Sequence, residues 1–248
     1  PNGRYETITT AEALDALLAR VRSAGRVALD VETDSLHART AGLCGLSLAV
    51  EPGEGFYVPV RSPEPASHLE LEAVMERAIP VLADPELEIV GHNLKFDLVV
   101  LRAHGLVPRG RLVDTMVADY LLEPTRSSHA MDALAEAVLG IRCVPITELI
   151  GVKARGRAKA AQKRFDEVPL SLAGPYAAED ADVTLRLADA LVPRLAEGDG
   201  RLARLYEDVE MPLVRVLAEM EWNGIRVDPD ELDRQRDGGL RVFHDQAL

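Results

Sequence analysis

The chain reads as an α/β protein: a mixed β-sheet flanked by helices, followed by a helical C-terminal extension. Three observations predict this. Short apolar, β-branched runs at 26–32, 43–50, 55–60 and 87–91 have strand character. Capped, helix-periodic stretches are interleaved with them, as expected when helices cover a sheet. From about residue 111 onward, nearly every segment is helical in pattern.

Taken in order, Thr9 and Glu12 have capping-box spacing, and Leu14, Leu17, Leu18 and Val21 follow at helical intervals up to Gly25. R-V-A-L-D-V-E (26–32) is a buried strand with acids only near its end. Strands 43–50 and 55–60 are joined across Glu51-Pro-Gly-Glu, a turn composition. Ser67 and Glu70 repeat the capping-box spacing ahead of a helix through about residue 83. A short strand at 87–91 precedes Asn93, placed to cap a helix carrying Phe96, Val99, Val100 and His104. Segments 112–122, 129–139, 171–196 and 200–222 carry the strongest helical patterns, and Gly224-Ile-Arg-Val-Asp-Pro229 interrupts them ahead of a new element. Pro1 in place of Met, and a pattern still running at Leu248, suggest a fragment of something longer.

Composition narrows the function classes. The 248 residues are 47% hydrophobic and 28% charged, a globular balance rather than a disordered one. No run approaches the ~18 apolar residues of a membrane helix, so no membrane partner is expected. Cys44 and Cys143 are the only cysteines, which excludes a disulfide framework and a cysteine zinc knuckle and suits a reducing, cytoplasmic setting. A net charge of −13 disfavours a simple phosphate-coating binder unless acids hold cations or bases cluster locally. Residues 152–164 are such a cluster, with Lys153, Arg155, Arg157, Lys159, Lys163 and Arg164 and no acid. That stretch suits single-strand phosphates and a solvated surface helix equally well. Aromatics, at 4%, are too few for an extended base-stacking platform.

Four carboxylates and a phenol are the chemical candidates. Asp30 and Glu32, two apart on a strand, share one face, with Leu29 and Val31 on the other. Carboxylates that close repel unless a cation lies between them. Oxygen-only ligands suit a hard ion such as Mg²⁺ or Mn²⁺. Asp97 follows the 87–91 strand in G-H-N-L-K-F-D (91–97), where an acid in a first helical turn also simply favours the macrodipole. Tyr176 and Asp180 stand one turn apart on one helical face, within a helix whose first turn holds Pro175; Glu179 and Asp182 flank them. Singly, each of these reads as a solvated acid, a cap or a core-edge residue.

Together they resemble the three exonuclease motifs of the DEDD superfamily in its tyrosine variant: Asp30-Val-Glu32-Thr33, Asn93-x-x-x-Asp97 and Tyr176-x-x-x-Asp180. D-V-E-T-D-S-L (30–36), D-T-M-V-A-D-Y-L-L (114–122), M-D-A-L-A-E (131–136) and Y-A-A-E-D-A-D-V-T-L (176–185) are similar to the proofreading 3′-5′ exonuclease domain of bacterial family-A DNA polymerases. L-Y-E-D-V-E-M-P-L through W-N-G-I-R-V-D (205–228) is similar to the junction where the polymerase domain of that family begins.

The resemblance implies a ribonuclease H-like sheet, an exonuclease domain over 1–197 and the truncated start of a polymerase domain over 198–248. It implies two divalent cations, Mg²⁺ or Mn²⁺ with Zn²⁺ an option at one site, roughly 4 Å apart. Asp30 would bridge both, Glu32 and Asp180 would complete the nucleophile side, and Asp97 would serve the leaving-group side through ion-held water. Tyr176, too weak an acid to be a general base, would orient the attacking water. Leu36 and Phe165 would touch the terminal bases or sugar of an unpaired DNA 3′ end, and Asn93 would position the strand. By themselves Leu36 and Phe165 read equally as core packing, and Asn93 as an N-cap. His92 is assigned no role, and His37 and His104 read as surface or core-edge residues. The implied partners are a single-stranded DNA 3′ end and a polymerase domain of the same longer, monomeric chain. The products would be deoxynucleoside 5′-monophosphates. Two alternatives stand beside this: a catalytically silent module that braces a polymerase domain, and an RNA-trimming enzyme resembling ribonuclease D.

Overall fold

The computed structural model describes residues 3–152 and 162–245, with side chains to residue 237. β1 (Arg4–Thr7) leads into α1 (Ala11–Ala24), then β2 (Arg26–Thr33), β3 (Leu43–Ala49) and β4 (Glu54–Pro59). α2 (Leu71–Leu82), β5 (Glu88–Gly91), α3 (Leu94–Ala103), β6 (Leu112–Asp114) and α4 (Thr115–Leu122) follow. Next come α5 (Met131–Leu134), continued by a π turn at 135–139, and α6 (Ile146–Ile150). The long α7 (Leu170–Leu191) precedes an arm of α8 (Arg201–Leu205), a π turn at 206–210, and α9 (Met211–Asn223). α10 (Pro229–Asp245) closes the described chain.

The six strands form one mixed sheet in the order β1-β4-β3-β2-β5-β6. β3 runs antiparallel to β2 and β4, whereas β1–β4, β2–β5 and β5–β6 are parallel pairs. Parallel neighbours on one side bring the C-terminal ends of β2, β5 and β6 together at a single edge. Every acid of the three motifs lies at or just beyond that edge, or on the helix crossing it.

The two sheet faces are packed differently. On one, Val27, Leu29, Val31, Leu46, Leu48, Val58 and Ile89 join the apolar faces of α1, α2 and α3 in a large side-chain core. On the other, α7 lies across the strands through small residues, with Ala177, Ala178, Ala181 and Ala188 facing Ala28, Ala49 and Tyr57. Gly55 on β4 makes the closest approach: a β-carbon there would fall 2.0 Å from the Ala178 carbonyl oxygen. Cys44 and Cys143 are buried free thiols, each pushed up to about 12 chiefly by burial.

Several elements depart from the sequence reading. The cap of α1 is Thr10, one residue later than expected; its hydroxyl accepts from the Ala13 amide at 3.2 Å. Ser67 forms no capping box; α2 starts after Glu70, and no side chain caps it. The helix expected over 112–122 begins only at Thr115, because Leu112–Asp114 pair with β5 as an edge strand. β1 was not anticipated, since R-Y-E-T is short and polar and gains its structure only from pairing with β4. α7 starts at Leu170, so Pro175 lies inside the helix rather than in its first turn. Of the basic stretch, Lys153, Arg155, Arg157 and Lys159 lie outside the described residues.

Gly55→Ala should force α7 off the sheet and cost about 1–3 kcal/mol by overpacking. A lowered midpoint in thermal denaturation followed by circular dichroism checks this.

Candidate active site

Strand alternation delivers the first two acids. In β2, Leu29 and Val31 point into the large core, and Asp30 and Glu32 project to the α7 face. Their partners across the ladder on β3 are Ser47 and Gly45, and the register slips between Glu32 and Thr33. Small residues opposite the acids and a bulge beyond them leave room at the strand end.

Asp180 reaches the same place from α7. One carboxylate oxygen from each of Asp30, Glu32 and Asp180 lies within 4.8 Å of the others. Asp97, in the first turn of α3, is 3% exposed and lines the same cleft of about 220 Å³, together with Tyr176, His92, Asn93 and Phe96. Asp97 stands outside the three-acid group and completes the cleft wall. All four acids of the motifs thus converge, with the Tyr176 phenol beside them.

Electrostatically the cleft is unsatisfied. Burial pushes the Asp30 carboxyl up to about 7. Burial, reinforced by the neighbouring acids, drives Glu32, Asp97 and Asp180 well above the carboxylate range. Hydrogen bonding from Tyr176 works against the rise at Asp180, and burial raises the phenol itself. Asp97 Oδ2 and Asp180 Oδ1 are buried without a hydrogen-bond partner. Orphaned carboxylate oxygens in an all-oxygen donor set are what a hard divalent cation would satisfy.

A second cleft, of about 360 Å³, adjoins the first and shares Val31, Glu32 and Phe96 with it. Ile146, Ile150 and Phe165 line it, with Leu36 and Lys163 among its other walls. Leu36 is 87% exposed, which corrects the core-packing alternative for it. Phe165 is buried, edge-on to Tyr57 at 6.3 Å between centroids and tilted against Tyr176 at 6.1 Å. It therefore packs in the core and lines the groove at once. Arg164 is paired with Asp166 at 2.7 Å.

Asn93 lines the acidic cleft, but it does not cap α3 with its side chain. Its backbone is left-handed, with φ 65°, and the capping acid comes from β6. Asp114 accepts from the Leu94 amide at 2.7 Å and the Asn93 amide at 3.3 Å, and from Met116 and Val117 at the start of α4. Sequence reasoning gave Asp114 no role. The D-T-M segment carried a local signal, an acid directly ahead of a helix, but nothing that pointed to α3. His92 also lines the cleft, its Nδ1 held at 2.8 Å from Thr115 Oγ1. His37 is exposed, and His104 is half-buried at the end of α3.

A carboxyl raised from 3.8 to about 7 holds a proton in the folded state that the unfolded chain has released. In chelator, folding stability should therefore fall as pH rises through that window. The fall should be smaller in Asp30→Asn, as read by urea unfolding at pH 5 and pH 8. Added Mn²⁺ should restore more stability to the wild type at pH 8 than at pH 5.

A family model described as 3′-5′ exonuclease matches residues 5–196. DNA polymerase I of Pseudomonas aeruginosa is 40% identical over 239 residues, spanning 93% of this chain and 25% of that protein. DNA polymerase I of Rhizobium leguminosarum is 37% identical, over 93% of this chain and 24% of the relative. The chain thus spans about a quarter of the length of these curated relatives. Among solved structures, the POL domain of Pol1 from M. smegmatis, in complex with DNA primer-template and dNTP, superposes with a TM-score of 0.72 at 26% identity, covering 97% of this chain and 36% of that one. Escherichia coli RNase D shares the fold, with a TM-score of 0.62 at 19% identity, over 90% of this chain and 52% of its own. The sheet is ribonuclease H-like. With its family match running from β1 to the end of α7 and beyond, the chain belongs to the 3′-5′ exonuclease family found in bacterial DNA polymerase I.

Proposed function

We propose that this chain is a divalent-metal-dependent 3′-5′ exonuclease that removes deoxynucleoside 5′-monophosphates from a single-stranded DNA 3′ end. The observation that carries this reading is the convergence of Asp30, Glu32 and Asp180 within 4.8 Å, with Asp97 in the same cleft wall. Like charges this close, with orphaned oxygens, have no evident structural purpose. Their repulsion becomes useful only when cations are held between them.

Asp30 would be a ligand shared by both cation sites. Glu32 and Asp180 would complete one site and Asp97 would serve the other. When bound, divalent ions supply charge neutralisation at the phosphate and activation of water. The chain's own residues would do the rest. Tyr176, whose phenol is kept protonated by burial, would hold the attacking water in line by hydrogen bond. The adjoining groove would take the end of the strand, with Leu36 and the Phe165 edge against the terminal bases and Asn93 beside the scissile link. Lys163, exposed in the groove wall, would neutralise one backbone phosphate. Residues 1–197 would form the nuclease unit, and 198–248 the start of a polymerase domain within a longer protein. The four acids being present together speaks against a silent bracing module.

Incubating the chain with matched DNA and RNA oligonucleotides in Mn²⁺ tests the reading. Nucleoside monophosphates should leave the DNA faster. Faster RNA digestion would move the assignment to an RNA-trimming enzyme, and no release by folded protein would favour the bracing role. Asp30→Ala should abolish release without unfolding the protein, and Tyr176→Phe should slow the chemical step by about 10²-fold while retaining Mn²⁺. Leu36→Ala, at an exposed position, should change stability by less than about 0.5 kcal/mol. The same substitution should raise KM for single-stranded DNA severalfold in steady-state assays.

A further inference from the structure

The matched family region ends at residue 196, yet the arm beyond it reaches back to Asp114 at the end of β6 and to α3, the helix that carries Asp97. Tyr206, in the π turn between α8 and α9, is 1% exposed. Its hydroxyl accepts from the Asp114 amide at 2.7 Å and donates to the Asp114 carbonyl at 3.1 Å. One phenol thus holds both backbone polar groups of a single residue. Asp114, itself 2% exposed, spends its carboxylate on the amides that open α3 and α4. Asn93, directly ahead of α3, is the one non-glycine residue with positive φ among the described residues. That backbone persists only where its surroundings over-determine it, and the Asp114 carboxylate on the Asn93 and Leu94 amides is the restraint in view.

The arm also grips the outer side of α3. Lys95 pairs with Glu221 at 2.5 Å, and Arg102 pairs with Glu219. The Arg102 guanidinium lies 4.6 Å from the Trp222 ring centroid, with Arg39 at 5.5 Å. α3 carries Asp97 in its first turn, three residues beyond the Leu94 amide that Asp114 holds.

From this geometry we infer that Tyr206 and Asp114 are positioning residues for the acidic cleft, through which the 201–223 arm sets the placement of Asp97. The inference rests on the reading of the cleft as a divalent-cation site. Asp97 acts from a helix end, so its carboxylate is placed only as well as that helix end is fixed. A change of a fraction of an ångström in a carboxylate is enough to weaken a cation site, and supporting hydrogen bonds of this kind are commonly worth 10–100-fold in metal affinity.

The test uses the full chain and three substitutions. Tyr206→Phe removes one hydroxyl and keeps the ring; Asp114→Asn keeps the shape but puts an amide group against backbone donors. Thr10→Ala, which removes the side-chain cap of α1 and none of the Asp114 bonds that open α3, serves as a control for a comparable loss of stability. In metal-free protein, hydrogen exchange at the Leu94 amide should speed up in Tyr206→Phe and Asp114→Asn but not in Thr10→Ala. Mn²⁺ titration followed by electron paramagnetic resonance should show the weaker site losing about tenfold in affinity in Tyr206→Phe. kcat on single-stranded DNA should fall with KM unchanged. Wild-type protein that binds no Mn²⁺ would overturn the reading of the cleft, and this inference with it. Wild-type binding, with Tyr206→Phe matching Thr10→Ala in exchange, Mn²⁺ affinity and kcat, would overturn this inference alone.

Discussion

Burial and crowding of carboxylates that the fold forces together are the constraint on which the rest of this structure depends. Asp30 and Glu32 on one strand and Asp180 on a crossing helix are held within 4.8 Å in a setting that opposes their ionisation. A chain free to relax would splay them apart. Three rigid pieces prevent that: a central strand with β3 and β5 on its two sides, a helix pressed flat onto the sheet, and a second helix nailed at its N-terminus by Asp114. Under the proposed function a cation would relieve that crowding, and the scaffold would act as a pre-formed electrostatic trap rather than a site assembled around its ligand.

Local periodicities made each pair of site residues legible, and the resemblance to the three exonuclease motifs joined those pairs and Asp97 into one site. Two-residue alternation put Asp30 and Glu32 on one face, and four-residue spacing put Tyr176 and Asp180 on another. What stayed hidden depends on partners distant in sequence. Asn93 looked like the cap of α3, since a cap is normally adjacent to its helix, whereas the structure supplies the capping acid from β6, 20 residues on from Leu94. L-V-D at 112–114 has the apolar character of the helix that follows, and only its pairing with β5 makes it a strand. Tyr206 carries no local signal at all; its significance exists only in the two hydrogen bonds it makes 92 residues away.

The groove beside the acids shows the same division. Leu36 could have been a core residue by type, and it is exposed in the irregular segment that follows β2. Phe165 could have been either, and it is both, since a large ring at the rim of a core presents one edge to the interior and another to the groove. Residue type fixes which environments a side chain tolerates, while topology decides which of them it meets. The net charge of −13 follows the same logic: it argues against phosphate binding for the surface at large and says nothing against a cleft whose acids, on the proposed function, would hold cations.

The way α7 is seated has a longer-range meaning. Where Gly55 meets Ala178, helix and strand touch main chain to main chain, with no side chain acting as spacer. The spacing of helix and sheet at this point is therefore set by van der Waals contact between backbones, which leaves no room for a side chain to act as a variable spacer. Repacking the opposite core would then leave the seat of α7 on the sheet, and with it the position of Asp180, unchanged.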